Sequence, residues 1–137
     1  MNRLARIAVF GFLIWLIPFV ISIFFYSPDG ELLVQKELFK TIMVMSGSVS
    51  AGILIIRYFK KVEAGYLAEG VFVGLAWLAI NWLLDIIILI PMSGMTTRAY
   101  FAEIGLRYVA IPAMAIAAGA VAEKAASGKS ALKPLKK

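Results

Sequence analysis

The 137-residue chain has no cysteine and no histidine. Without cysteine there are no disulfides, thiolate nucleophiles or sulfur-ligated metal centres. Without histidine there is no imidazole to serve as acid, base or haem ligand. Charge is also scarce. Asp, Glu, Lys and Arg make up 16% of the chain, against about a quarter in soluble domains. No Walker loop, dinucleotide fingerprint, GxSxG elbow or metal-ligand spacing is present. Gly70-Val-Phe-Val-Gly74 is a packing pattern, not a phosphate loop. The only acid/base candidates are Asp85, Glu103 and tyrosines, so the chain reads as a non-enzyme with no cofactor and no metal. Met43, Met45, Met92, Met95 and Met114 could offer thioethers to Cu(I), but with no histidine or cysteine beside them they read as packing filler.

What is abundant is apolar sequence. Hydrophobic residues are 62% of the chain and mean hydropathy is +0.90. Four stretches of about twenty apolar residues are each long enough to cross a bilayer core of roughly 30 Å. This predicts an all-α, up-down-up-down bundle of four transmembrane helices. The spans fall at about 4–26, 38–59, 66–90 and 99–122, within one domain over 1–124. A basic tail, 125–137, follows and reads as solvated. Arg3 and Arg6 resemble the charged start of a signal peptide, but the apolar run is too long and lacks a small-residue cleavage site, so the first span reads as a retained helix. Pro18 predicts a kink inside it. Ser27-Pro28-Asp29-Gly30-Glu31 has helix-start chemistry. A helix from there to Lys60 would be about 50 Å long at 1.5 Å per residue, so either residues 31–36 form an interfacial turn or the helix bends near Gly47.

The charges set the direction. Arg3, Arg6, Arg57, Lys60, Lys61, Lys124, Lys129, Lys133, Lys136 and Lys137 fall on one side, and Lys36, Lys40 and Arg98 on the other. Ten against three predicts cytoplasmic termini under the positive-inside rule and argues against dual topology. At formal net charge +6, basic residues at span ends imply contact with anionic lipid, not nucleic acid.

One polar constellation lies inside the spans. Asn81 and Asp85 are four apart on span three and share a face with Trp77. Glu103 and Arg107 are four apart on span four. With residues 78 and 111 as span centres, Asn81 lies about 4 Å, Arg107 about 6 Å, Asp85 about 10 Å and Glu103 about 12 Å toward the outside. A lone charge there costs several kcal/mol, so these side chains should find partners inside the bundle. The predicted pairing is Arg107 with Asp85, Glu103 or both. It serves either as a clasp that fixes register or as a site for an ion, proton or small solute, since two acids face one base.

A second pattern is small residues at four-residue spacing. Ser46/Ser50 and Gly47/Ala51 lie in span two, Gly74 with Gly70 in span three, and Ala115/Gly119 in span four. They predict close helix packing, with a homo-oligomer face or a serine-lined pore as sharper alternatives.

Tyr-Phe-Lys-Lys at 58–61, Glu-Gly at 69–70, Asn-Trp-Leu-Leu-Asp at 81–85 and Glu-Ile-Gly-Leu-Arg-Tyr at 103–108 resemble a family of small four-span prokaryotic integral membrane proteins of unassigned function. The resemblance covers about half the chain. It implies a four-helix fold in a prokaryotic plasma membrane and no activity or site residue. Fluoride channels and small multidrug transporters are of similar size, but the helix break of the former and the first-span acid of the latter are missing. Two functional expectations remain: first a non-catalytic accessory or interaction module with a clasp between spans three and four, and as the alternative a solute, ion or proton-coupled transporter, oligomeric, using the same cluster.

Overall fold

The computed structural model describes residues 1–131. It is all-helical: α1 (Arg3–Ile23), α2 (Lys36–Phe59), α3 (Tyr66–Leu84), a π-helical turn (Asp85–Leu89), α4 (Ile90–Ser93), α5 (Thr97–Glu103), a 3₁₀ segment (Gly105–Val109) and α6 (Ala110–Ala131). Four helical stretches, Arg3–Ile23, Lys36–Phe59, Tyr66–Ser93 and Gly105–Ala131, are long and apolar enough to span a membrane. At most 28% of each apolar window is buried within the bundle, and Phe12, Ile53, Ile56, Leu75 and Val121 point outward. That surface suits a solvent of lipid.

Local chemistry sets the ends. The Asn2 side chain accepts from the Ala5 amide at 2.8 Å and caps α1. Gly65 (φ 64°) turns the chain into α3, and Gly94 (φ 67°) ends α4 in the left-handed conformation that glycine enters without steric cost. Ser27 caps no helix. Its hydroxyl accepts from Glu31 N at 3.1 Å and Leu33 N donates to Phe25 O at 2.8 Å, so residues 24–35 form a turned-back loop. The interfacial turn is therefore the alternative realised, and α2 starts at Lys36.

Both later spans depart from the continuous helices expected. Span three runs through Pro91 to Ser93. Pro91 offers no N–H and crowds the carbonyl four residues earlier; the ladder widens just before it, where the Ile90 amide donates to the Asp85 carbonyl, one residue further back than in an α-helix. The fourth stretch is not one helix from 99 to 122. It breaks at Ile104 (φ −128°, ψ −56°), and Gly105 is pressed against the Tyr100 and Phe101 rings. The Trp82 indole donates to the Gly105 carbonyl at 2.8 Å, taking up a group the break leaves free. At its far end α6 continues to Ala131, so 125–131 is helix, not tail. Lys133, Lys136 and Lys137 lie outside the described residues.

Packing uses the glycines. A Cβ on Gly70 would lie 2.5 Å from the Ala115 carbonyl, one on Gly74 2.7 Å from Pro112 Cα, and one on Gly119 would strike the Tyr66 carbonyl. α3 and α6 thus meet backbone to backbone. The buried core gathers Ile7, Ile14, Leu54, Ile55, Tyr58, Val73, Trp77, Ile111 and Ala115.

Candidate functional site

The polar face of α3 docks on α1. Trp77 Nε1 donates to Ile7 O at 2.9 Å, Asn81 Nδ2 to Gly11 O at 3.3 Å, and Trp15 Nε1 to Asp85 Oδ1 at 2.7 Å. Each contact joins residues seventy apart, so two helices running the same way hold one register over two turns. Gly11 permits the approach, since a Cβ there would lie 2.8 Å from both Ile80 and Trp77. Asn81 also donates to Trp77 O at 2.8 Å. Its Oδ1 is buried with no donor among the described residues.

Asp85 ends this ladder at the first residue of the π turn. It is 1% exposed. The Tyr100 hydroxyl donates to Oδ2 at 2.7 Å. An indole N–H can only donate, so Oδ1 is held as an acceptor. The phenol can exchange roles, so the Tyr100 contact can be kept with a proton on Oδ2 or without one. No ion pair among the described residues involves Asp85.

Asp85 forms part of the wall of a cleft of about 1130 Å³. Trp15, Phe39, Met43 and Met114 give it apolar walls, and Lys36, Lys40, Glu103, Arg107 and Tyr108 also line it. α2 forms one side of the cleft. From Lys36 to Ala51 it borders the cleft, while Leu54, Ile55 and Tyr58 further along are buried. Irregular backbone at such depth is tolerated where it lines a cavity, and the π turn and the 3₁₀ segment both do so.

The expected Asp85–Arg107 clasp is not formed. Arg107 lies on the 3₁₀ segment with its side chain in the cleft lining and makes no ion pair with any described residue. Glu103 makes no ion pair with Arg107 either, and meets Lys40 at 3.5 Å and Lys36 at 3.9 Å. The expectation assumed that α3 shows its polar face to its antiparallel neighbour. Its glycine face goes there instead and leaves Trp77, Asn81 and Asp85 to α1.

Of the small residues singled out, Gly74, Ala115 and Gly119 lie in the α3–α6 contact. Ser50 donates to Ser46 O at 2.7 Å and Ser46 to Met43 O at 3.0 Å, so both serines bond back to their own helix. Gly47 lies beside Pro18 at the cleft, and Ala51 is buried.

A further polar group at the opposite end has no counterpart in the sequence-based cluster. Arg3 grips Glu69 with Nε at 3.0 Å and Nη2 at 2.9 Å, and the fully buried Tyr58 donates its hydroxyl to Glu69 Oε1. The Arg6 guanidinium lies 5.2 Å from the Tyr58 ring centroid. A signal existed: Glu69, Val73, Trp77, Asn81 and Asp85 recur every four residues, each one turn from the next on a slowly winding stripe.

Compared with protein-family models, curated proteins and solved structures, the chain matches none.

Proposed function

We propose that the chain is a small carrier of the prokaryotic plasma membrane, with the cleft as its solute site and Asp85 as its proton-binding group. The observation that carries this reading is a buried carboxyl in the wall of an open cleft, held by two hydrogen-bond donors and by no cation. A clasp needs an opposite charge; a carboxyl that must gain and lose a proton needs a partner indifferent to which, and Tyr100 is one. For this reason transport is preferred to the accessory-module reading. With the ten-to-three basic bias placing both termini in the cytoplasm, the cleft opens outward and the basic side rests on anionic lipid. In the proposed cycle, solute and proton enter from outside. Asp85 binds the proton, and α2 closes over the cleft before release inward. A homo-oligomer is compatible with this arrangement, because so much of each helix faces outward.

The test exploits the absence of cysteine. Ser48 lines the cleft, whereas Ser50, two residues on, is buried and outside the lining. A membrane-impermeant thiol reagent added outside intact cells should modify Ser48→Cys and spare Ser50→Cys. In liposomes Asp85→Asn should abolish proton-coupled flux and leave the fold intact. An unreactive Ser48→Cys, or unchanged proton coupling in Asp85→Asn, would overturn the proposal.

A further inference from the structure

We infer that the solute is an amphipathic monoanion, a long-chain carboxylate, that enters sideways past α2 and leaves its head group on Arg107 and Lys40. The inference rests on the carrier reading and supplies its substrate class.

Charge is the first argument. Lys36, Lys40 and Arg107 line the cleft against Asp85 and Glu103, and Glu37 reaches Lys40 from outside the lining; three cations thus meet three acids, and the sum becomes +1 when Asp85 holds the proton of the carrier reading. The acids are already engaged. Glu103 lies between Lys36 and Lys40, Lys40 also meets Glu37 at 3.8 Å, and Asp85 is turned onto Trp15 and Tyr100. Arg107 has no acid among the described residues. A guanidinium with free N–H groups takes a carboxylate in two parallel hydrogen bonds. A second negative charge beside Asp85 is also what a carrier that loads a proton with its solute would require.

The second argument is shape. A smaller cavity of about 250 Å³ is lined by Lys40, Thr41, Val44, Met45 and Arg107. Lys40, Val44 and Arg107 line both spaces, so the two meet at the cationic pair. Met45 on the outer side is 61% exposed. This is a side entrance between α2 and the 3₁₀ segment, with cations at its threshold and lipid-facing residues outside it. An amphiphile already in the membrane would pass through it tail and all.

The third argument is the walls. Met43, Met92, Met95 and Met114, four of the chain's six methionines, line the large cleft. Unbranched thioethers adapt to a flexible apolar chain. The cleft, at about 1130 Å³, exceeds the usual range for drug-sized ligands, about 300–1,000 Å³.

The experiment uses the full chain in phosphatidylcholine nanodiscs and a brominated fatty acid, dibromostearate, as quencher of tryptophan emission. Trp15 lines the cleft, whereas Trp77 and Trp82 do not. Dibromostearate should quench saturably, and the saturable part should vanish in Trp15→Phe. Arg107→Gln should weaken binding by about tenfold, the effect of losing one charge-assisted contact. Arg107→Lys should restore part of it. Stearate should also protect Met43→Cys from the thiol reagent, a readout that does not depend on Trp15. Three results would each overturn the inference: equal saturable quenching by a brominated long-chain amine, undiminished affinity in Arg107→Gln, or stronger quenching by brominated phosphatidylglycerol, which would make the occupant a two-chain lipid. If Ser48→Cys reacts with the aqueous reagent but stearate neither quenches nor protects, the substrate class falls and the cleft reading stands. If Ser48→Cys is also silent, both fall.

Discussion

Trp15 and Asp85 meet at 2.7 Å across seventy residues, the same separation that joins Ile7 to Trp77 and Gly11 to Asn81. α1 and α3 run the same way, so a fixed offset means the two faces stay in step turn after turn. In lipid such interhelical hydrogen bonds hold register where the hydrophobic effect cannot. Trp15→Phe strips one donor from a carboxyl that is 1% exposed and should cost about 1–3 kcal/mol, the usual penalty for stranding a buried acceptor. In Asp85→Leu the second substitution should add little. Unfolding in detergent measures all three variants; strictly additive costs would argue against a direct Trp15–Asp85 bond.

The glycines of the α3–α6 contact differ from open glycines elsewhere on the helices. Gly70, Gly74 and Gly119 have no room for a methyl group, whereas Gly52 and Gly128 have nothing within 4 Å of an added Cβ. Gly119→Ala should destabilise by about 1–3 kcal/mol through overpacking of backbone against backbone. Gly52→Ala should be neutral or stabilising by up to about 1 kcal/mol, from helix propensity alone. Thermal unfolding of the two variants side by side decides the point, and similar losses would mean that packing does not distinguish them.

At the opposite end, Tyr58 and Arg3 share Glu69 but are exposed to different degrees. The Arg3 side chain is 48% accessible, so Arg3→Ala should cost less than about 1 kcal/mol and be weakened by salt. Tyr58 is wholly buried and gives its hydroxyl to Glu69. Glu69→Ala should therefore cost about 1–3 kcal/mol, because it strands that hydroxyl. Denaturation at low and high salt separates the two; a salt-sensitive loss in Glu69→Ala would shift the weight to the ion pair.

The spans were legible because length and apolar content report the solvent directly, and these do not depend on how the helices pack. The breaks were harder to read. Pro91 marked the end of a run, but whether a helix stops or widens at a proline depends on what receives the freed carbonyl. Gly105 sits amid apolar residues, and only the Trp82 indole above it makes a break tolerable there. Asp85, Asn81 and Trp77 were legible as one polar face. Their partner was not, because the shortness of the 91–98 connection says that spans three and four adjoin but says nothing of rotation. The Gly70/Gly74 line settles the rotation: two faces of one helix compete for the nearest neighbour, and the face that lets backbones touch takes it. Glu69 was passed over because it stands at a span end, where a charge needs no explanation.

Topology gives an independent prediction. Under the positive-inside rule, ten basic residues against three predict that the termini end lies inside. In this cysteine-free chain, Ser93→Cys lies exposed at the α4 end and Ser130→Cys near the end of α6. From outside intact cells an impermeant reagent should label the first and spare the second. The reverse pattern would invert the orientation and with it the side to which the cleft opens.

The last prediction separates the observed site from the pairing expected between spans three and four. Were Arg107 the counter-ion of a buried Asp85, its removal would strand a carboxylate and cost about 3–5 kcal/mol. Arg107 is instead exposed at the cleft, with no acid among the described residues within ion-pair distance, and Asp85 is held by Trp15 and Tyr100. Arg107→Ala should therefore change stability by less than about 1 kcal/mol, as for other exposed charges. Asp85→Ala should cost more, because the Trp15 indole and the Tyr100 hydroxyl both lose their acceptor and a small cavity is left. Chemical denaturation of the two variants in one detergent tests the order. A loss of several kcal/mol in Arg107→Ala, removed by a second Asp85→Leu substitution, would restore the clasp and count against a free guanidinium at the cleft.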